Sequence, residues 1–122
     1  MIPILTTIFI VIVALMHFYI MYFEMFAFTK PRTLKTFNIT KEKAENAKEL
    51  AANQGLYNGF LAAGLVWSVL YPDTQIGLQI ALFFLSCVVI AALYGAATVS
   101  KRIFFAQGIP AIIALILTII SI

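Results

Sequence analysis

The chain is 122 residues long, 63% hydrophobic and only 11% charged, with eight basic and five acidic residues and a mean hydropathy of +1.04. A soluble domain is about 45–50% apolar, so these values exclude an ordinary water-soluble fold and predict one integral membrane domain over residues 1–122. The basic excess is read as a statement about topology, and no nucleic-acid partner is expected.

Each span needs about 20 mainly apolar residues to cross the hydrocarbon core, and four segments qualify. The first, about residues 2–28, carries only His17 and Glu24 as ionisable side chains. No basic residue precedes it and no small-residue cleavage pattern stands before Lys30, so it is expected to be retained and not removed as a signal peptide. The stretch "TKPRTLKTFNIT", residues 29–40, has a proline and few helix formers. From Lys41 the sequence "KEKAENAKELAANQ" favours a helix, with Thr40 as its N-cap and a wet first part before the helix enters the bilayer. This second segment, about 41–71, ends at the turn signal Pro72-Asp73. The third, about 76–100, has no charge, and the fourth, about 103–122, follows Lys101-Arg102. Backbone groups left unpaired in lipid are costly, so segments of this length are read as helices and not as barrel strands. The predicted fold class is all-α, a four-transmembrane-helix bundle.

Orientation follows from the basic residues. Lys30, Arg32, Lys35, Lys41, Lys43 and Lys48 lie between the first two spans and Lys101 and Arg102 between the last two, while "YPDTQ" has none. The positive-inside rule then makes the first and third loops cytoplasmic and places both termini outside, in a bacterial cytoplasmic membrane. Membrane lipids are the first expected partners, with anionic headgroups able to meet the basic loop.

Cys87 and His17 are each alone of their type, which removes a disulfide, a redox pair and a thiolate zinc site; no metal and no cofactor are expected. Ala51, Gly55, Gly59 and Ala63 recur every four residues and form a stripe of small side chains on the second segment. Such a stripe lets another helix approach closely. It suits either a homo-oligomer through the Gly55/Gly59 face or packing inside one chain, and the second reading is preferred.

Polar residues gather at one depth. Along a helix rising about 1.5 Å per residue, His17 lies roughly 20 Å and Glu24 roughly 9 Å from Lys30. Asn53, Gln54, Tyr57 and Asn58 enter at that cytoplasmic half from the second segment, Tyr94 and Thr98 from the third, and Gln107 from the fourth. His17 and Glu24 are one heptad apart and share a face to within about 20°, with Tyr19 and Tyr22 pointing away from it. Gln54 with Asn58, and Asn53 with Tyr57, are i,i+4 pairs. Pro110 cannot donate to the carbonyl of Ala106, which leaves a free acceptor and a kink beside Gln107. Isolated amides in membrane helices often serve only to join helices, at about 0.6 kcal/mol each. A carboxylate there is more expensive and marks a functional site by default. Ile20, Met21, Ala27 and Phe28 give Glu24 no basic partner on its own helix, so the competing role is an ion pair with Lys48 or Arg102.

"HFYIMYFEMFAFTKPRTLKTFNI", "NQGLYNGFLAAGL" and "AQGIPA" together resemble a family of small bacterial four-helix membrane proteins catalogued as a domain of unknown function. The resemblance covers nearly the whole chain. It implies a four-helix architecture and a membrane location, carries no activity, and makes His17, Glu24, Asn53, Gln54, Tyr57, Asn58 and Gln107 look like signature positions.

Three functions are weighed. In the first, a polar cavity in the cytoplasmic half binds or transports a small molecule in a proton-linked way, with Glu24 as the anionic site and His17, Asn53, Gln54, Tyr57, Asn58 and Gln107 around it. In the second, His17 and Glu24 are a catalytic acid/base pair acting on a lipophilic substrate. In the third, the protein is a structural or accessory subunit. Small multidrug transporters also combine four helices with a first-helix carboxylate, but those that insert in both orientations need almost no basic bias between loops.

Overall fold

The computed structural model describes residues 1–122, apart from the side chains at positions 36 and 37, and among the described residues all regular structure is helical. Helix α1 spans Ile4–Phe26, α2 Pro31–Phe37, α3 Lys41–Leu70 and α4 Thr74–Thr98. A final helical run comprises α5 (Lys101–Ile103), a π-helical turn (Phe104–Gly108) and α6 (Ile109–Ser121).

Local chemistry sets the ends. The Lys43 N–H donates to the Thr40 hydroxyl at 3.2 Å, so α3 starts where the N-cap signal pointed. At the start of α4 the Ile76 N–H donates to the Asp73 carboxylate at 3.0 Å, satisfying one of the orphan donors of a first turn. The 29–40 stretch differs from its sequence reading, because it contains α2. Pro31 occupies the first turn, where its missing N–H costs nothing, and Asn38 closes the helix in the left-handed region at φ 53°, a conformation asparagine tolerates.

The chain divides into two compact units, Met1–Met16 with Leu61–Ile122, and His17–Phe60. In the first unit, Ile10, Val13 and Ala14 of α1, Leu65 of α3, Ala81, Leu85 and Val88 of α4, and Ala111 and Ala114 of α6 form one buried core. The three- and four-residue spacings of these positions give each helix one inward stripe. Small residues bring the axes close: a methyl group added to Gly64 would clash with the ring of Phe84, and one added to Gly77 would meet the Ser68 carbonyl oxygen at 2.5 Å. Several hydroxyls in this unit bond within the protein. Ser68, Ser86 and Thr118 bond carbonyls of their own helices at 2.6–2.8 Å, and the Thr6 and Ser121 hydroxyls pair at 2.9 Å. In the π turn the Ile109 N–H reaches back to the Phe104 carbonyl, one residue further than in an α-helix. It sits directly before Pro110, whose missing donor already breaks the regular ladder there.

Among the described residues three helical stretches are long and apolar enough to cross a membrane: Ile4–Phe26, Thr74–Thr98 and Lys101–Ser121. Only 28, 33 and 22% of their most apolar windows is buried, so most of the apolar surface faces outward. A helix in water does the reverse. The sequence reading counted four such segments; α3 is long enough at 30 residues but is not among these three. Its charges from Lys41 to Glu49 and its amides Asn53, Gln54 and Asn58 dilute the apolar run.

Candidate functional site at the contact of α1 and α3

The second unit holds six of the seven predicted site residues. Glu24 lies in the last turn of α1, with no basic residue in that turn. A carboxylate gains nothing from the helix dipole at that end, where the carbonyls already carry partial negative charge. Its partner comes from α3: the Asn58 side-chain amide donates to Oε1 of Glu24 at 2.6 Å, a short hydrogen bond between two half-buried groups. Lys48, one of the two cations expected to compete for Glu24, instead pairs with Glu45 on the exposed side of α3 at 3.4 Å. The carboxylate is held by an amide, not by a cation.

Two glycines make this contact short enough. A methyl group at Gly55 would lie 2.9 Å from Cγ of Met25 and 3.0 Å from Cβ of Glu24, and one at Gly59 would lie 2.5 Å from the sulfur of Met21. A side chain at Gly55 would also press on the Met21 carbonyl oxygen at 3.1 Å and push α3 away from α1, lengthening the reach from Asn58 to Glu24, whereas one at Gly59 would first displace the flexible Met21 side chain. Gly55 and Gly59 of the small-residue stripe are therefore packed inside the unit and buried, as is Ala51, whereas Ala63 is exposed. Met21 and Met25 were not among the predicted site residues. Their signal was their i,i+4 spacing on either side of Glu24, and flexible thioethers suit the gap beside two glycines.

The other predicted residues are placed differently. His17 is 1% exposed, and no buried side-chain nitrogen or oxygen among the described residues lacks a hydrogen-bond partner. Asn53, Gln54 and Tyr57 are exposed on α3, Tyr57 stacking edge-on with Phe60 at 5.7 Å. Tyr19 and Tyr22 are exposed on α1, pairing with Phe23 and Phe26 at 6.3 and 6.1 Å. Gln107 belongs to the first unit, half-buried in the π turn. That unit also holds two hollows, of about 360 Å³ lined by Trp67, Ile76, Gln79, Ile80, Phe83 and Phe84, and about 250 Å³ lined by Met1, Ile2, Ile4, Thr7, Ile8 and Val69. No predicted site residue lines either of them.

The chemistry of the α1–α3 contact is that of a lone acceptor carboxylate, one oxygen bonded to an amide, between thioethers and glycines. It can hold a proton or accept from a donor group on a small molecule.

Comparison with known proteins adds family information. Residues 11–119 match the family described as "Protein of unknown function (DUF1304)". The chain is 42% identical over 115 residues to "Uncharacterized protein YpaA" of Lactococcus lactis subsp. lactis (strain IL1403), covering 93% of this chain and 95% of that protein. No solved structure matches the chain.

Proposed function

The chain belongs to the DUF1304 family, and on that footing we propose that it is a multi-pass protein of the bacterial cytoplasmic membrane that binds or transports a small molecule in a proton-linked way at the α1–α3 contact. The observation that carries this reading is the Glu24–Asn58 hydrogen bond, formed with no basic partner at the carboxylate. A carboxylate in a membrane helix is expensive, and a structural role would be served more cheaply by a second amide or by an ion pair. In this proposal α3 is the fourth span despite its polar first half, both termini face outward, and the basic connection between α1 and α3 is cytoplasmic. The shared core of α1, α3, α4 and α6 in the first unit supports placing α3 beside the three apolar helices. An acid/base enzyme built on His17 and Glu24 is less well supported, since His17 has almost no surface to offer a substrate.

The test is native mass spectrometry of the purified protein. A small molecule should remain with the wild type, be lost from Asn58→Leu with the melting temperature little changed, and be held by Glu24→Gln without dependence on pH. Unfolding of both variants, or identical bound species in all three proteins, would assign the pair to architecture alone.

A further inference from the structure

We propose that the segment joining α1 to α3 is a binding surface for anionic phospholipid headgroups. Residues 25–41 contain four basic side chains, Lys30, Arg32, Lys35 and Lys41, and no acidic one. The acids of this region begin only at Glu42 and continue as Glu45 and Glu49 along α3, where Glu45 is engaged by Lys48. Charge is thus separated, and the part nearest the end of the apolar α1 is purely positive.

The fold points that charge outward. The Thr33 hydroxyl donates to the Ala27 carbonyl at 2.6 Å, fastening the inner face of α2 to the chain just beyond α1. Thr33 is buried and Leu34 half-buried, whereas Lys30, Arg32, Lys35 and Lys41 are exposed. Ala44 and Ala51 are buried and Ala47 half-buried, so the inward stripe of α3 is neutral and small. None of the exposed lysines Lys30, Lys35 and Lys41 is consumed by an ion pair among the described residues.

An anionic lipid fits because of position. α1 reaches Phe26 as an apolar helix, and Lys30 follows four residues later, so these side chains sit at headgroup level on whichever face of the bilayer α1 ends. Basic residues next to a span are attracted to anionic lipid over a Debye length. The inference rests on α1 being a span but not on any ligand at Glu24, so Glu24→Gln should leave lipid preference intact.

The experiment uses full-length protein in neutral detergent, titrated with phosphatidylglycerol or phosphatidylcholine and read by native mass spectrometry. Phosphatidylglycerol should be retained over phosphatidylcholine by on the order of tenfold at low salt, consistent with a few favourable lysine contacts, and the preference should shrink in high salt. Neutralising Lys30, Lys35 and Lys41 together to glutamine should abolish it. Circular dichroism checks the fold of that triple variant; if it is unfolded, the wild-type comparison of lipids and salt decides. Equal retention of both lipids, an unchanged preference in the folded variant, or displacement by free glycerol 3-phosphate at matching concentration would overturn the proposal.

Discussion

Glu24 and Asn58 meet because of which way α3 is turned. At about 100° per residue, Asn58 lies about 60° around the helix from Gly55, whereas Tyr57 falls on the side opposite the Gly55/Gly59 stripe. The residue nearest the glycines is the one that bonds α1, and the others are exposed. Depth alone ranked Asn53, Gln54, Tyr57 and Asn58 equally; combining it with the glycine stripe would have singled out Asn58. His17 illustrates the opposite case, since sharing a face with Glu24 along one helix says nothing of how deeply each is covered. The Glu24→Gln substitution should preserve the fold, because an amide can still accept from Asn58, while removing any pH dependence of ligand binding. Infrared difference spectra between acid and neutral pH should show a carboxylic carbonyl band in the wild type that is missing from the variant; its absence from both would remove the proton from the proposal.

At the scale of elements, close packing outweighs polar contacts. Replacing Thr6 by valine deletes the Thr6–Ser121 bond but leaves Ser121 bonded to the Leu117 carbonyl at 2.7 Å, so the loss should be about 0.6 kcal/mol, typical of membrane hydrogen bonds. Leu65→Ala empties a fully buried position and should cost about 2–5 kcal/mol. Steric-trap unfolding of the two variants measures the contrast, and equal losses would refute it. Gly59→Leu should be more damaging at the α1–α3 contact, since its side chain must displace Met21; reduced thermal stability together with loss of any Asn58-dependent binding is the expected pair of readouts. The apolar helices were legible from their apolar runs and the start of α3 from Thr40, whereas Pro72-Asp73 was read only as a turn, and Asp73 in fact caps α4, which begins at Thr74 and not near residue 76. The α2 helix was not, because its proline was weighed as a breaker when, at the first turn, it is a starter. The π turn was half legible: Pro110 announced a broken ladder beside Gln107, but not that the backbone would take up the break by lengthening a turn.

For the whole molecule the open quantity is the number of spans. Three helical stretches qualify on their own apolarity, and the status of α3 decides whether residues 38 and 73 lie on opposite sides of the membrane or on the same side. In a Cys87→Ala background, a cysteine at Asp73 should react with an impermeant thiol reagent outside intact cells and one at Asn38 should not. Labelling of both, or of neither, would mean that α3 does not cross. Labelling only at Asn38 would keep four spans and invert the orientation. The sequence could not settle this, because α3 joins an apolar half, Phe60 to Leu70, to a charged and amide-bearing half in one continuous 30-residue helix, and window averages blur the two.

That composite character of α3 has a consequence for biogenesis. Segments enter the bilayer from the translocon in proportion to their apolarity, and polar residues near the centre oppose entry. The apolar helix α1 can partition as soon as it emerges, whereas α3 arrives with Asn53, Gln54 and Asn58 still bare. Its entry is favoured once Asn58 can bond Glu24 on the waiting α1 and once α4, joined to it by the short turn at Pro72-Asp73, supplies further apolar length. The carboxylate proposed to serve the mature protein would then act earlier as well, as the docking point that lets a reluctant helix leave the translocon. Insertion of α3 in glycosylation-mapping fusions should accordingly fall when Glu24 is replaced by leucine, and should be unaffected when the exposed Leu93 of α4 is replaced by isoleucine.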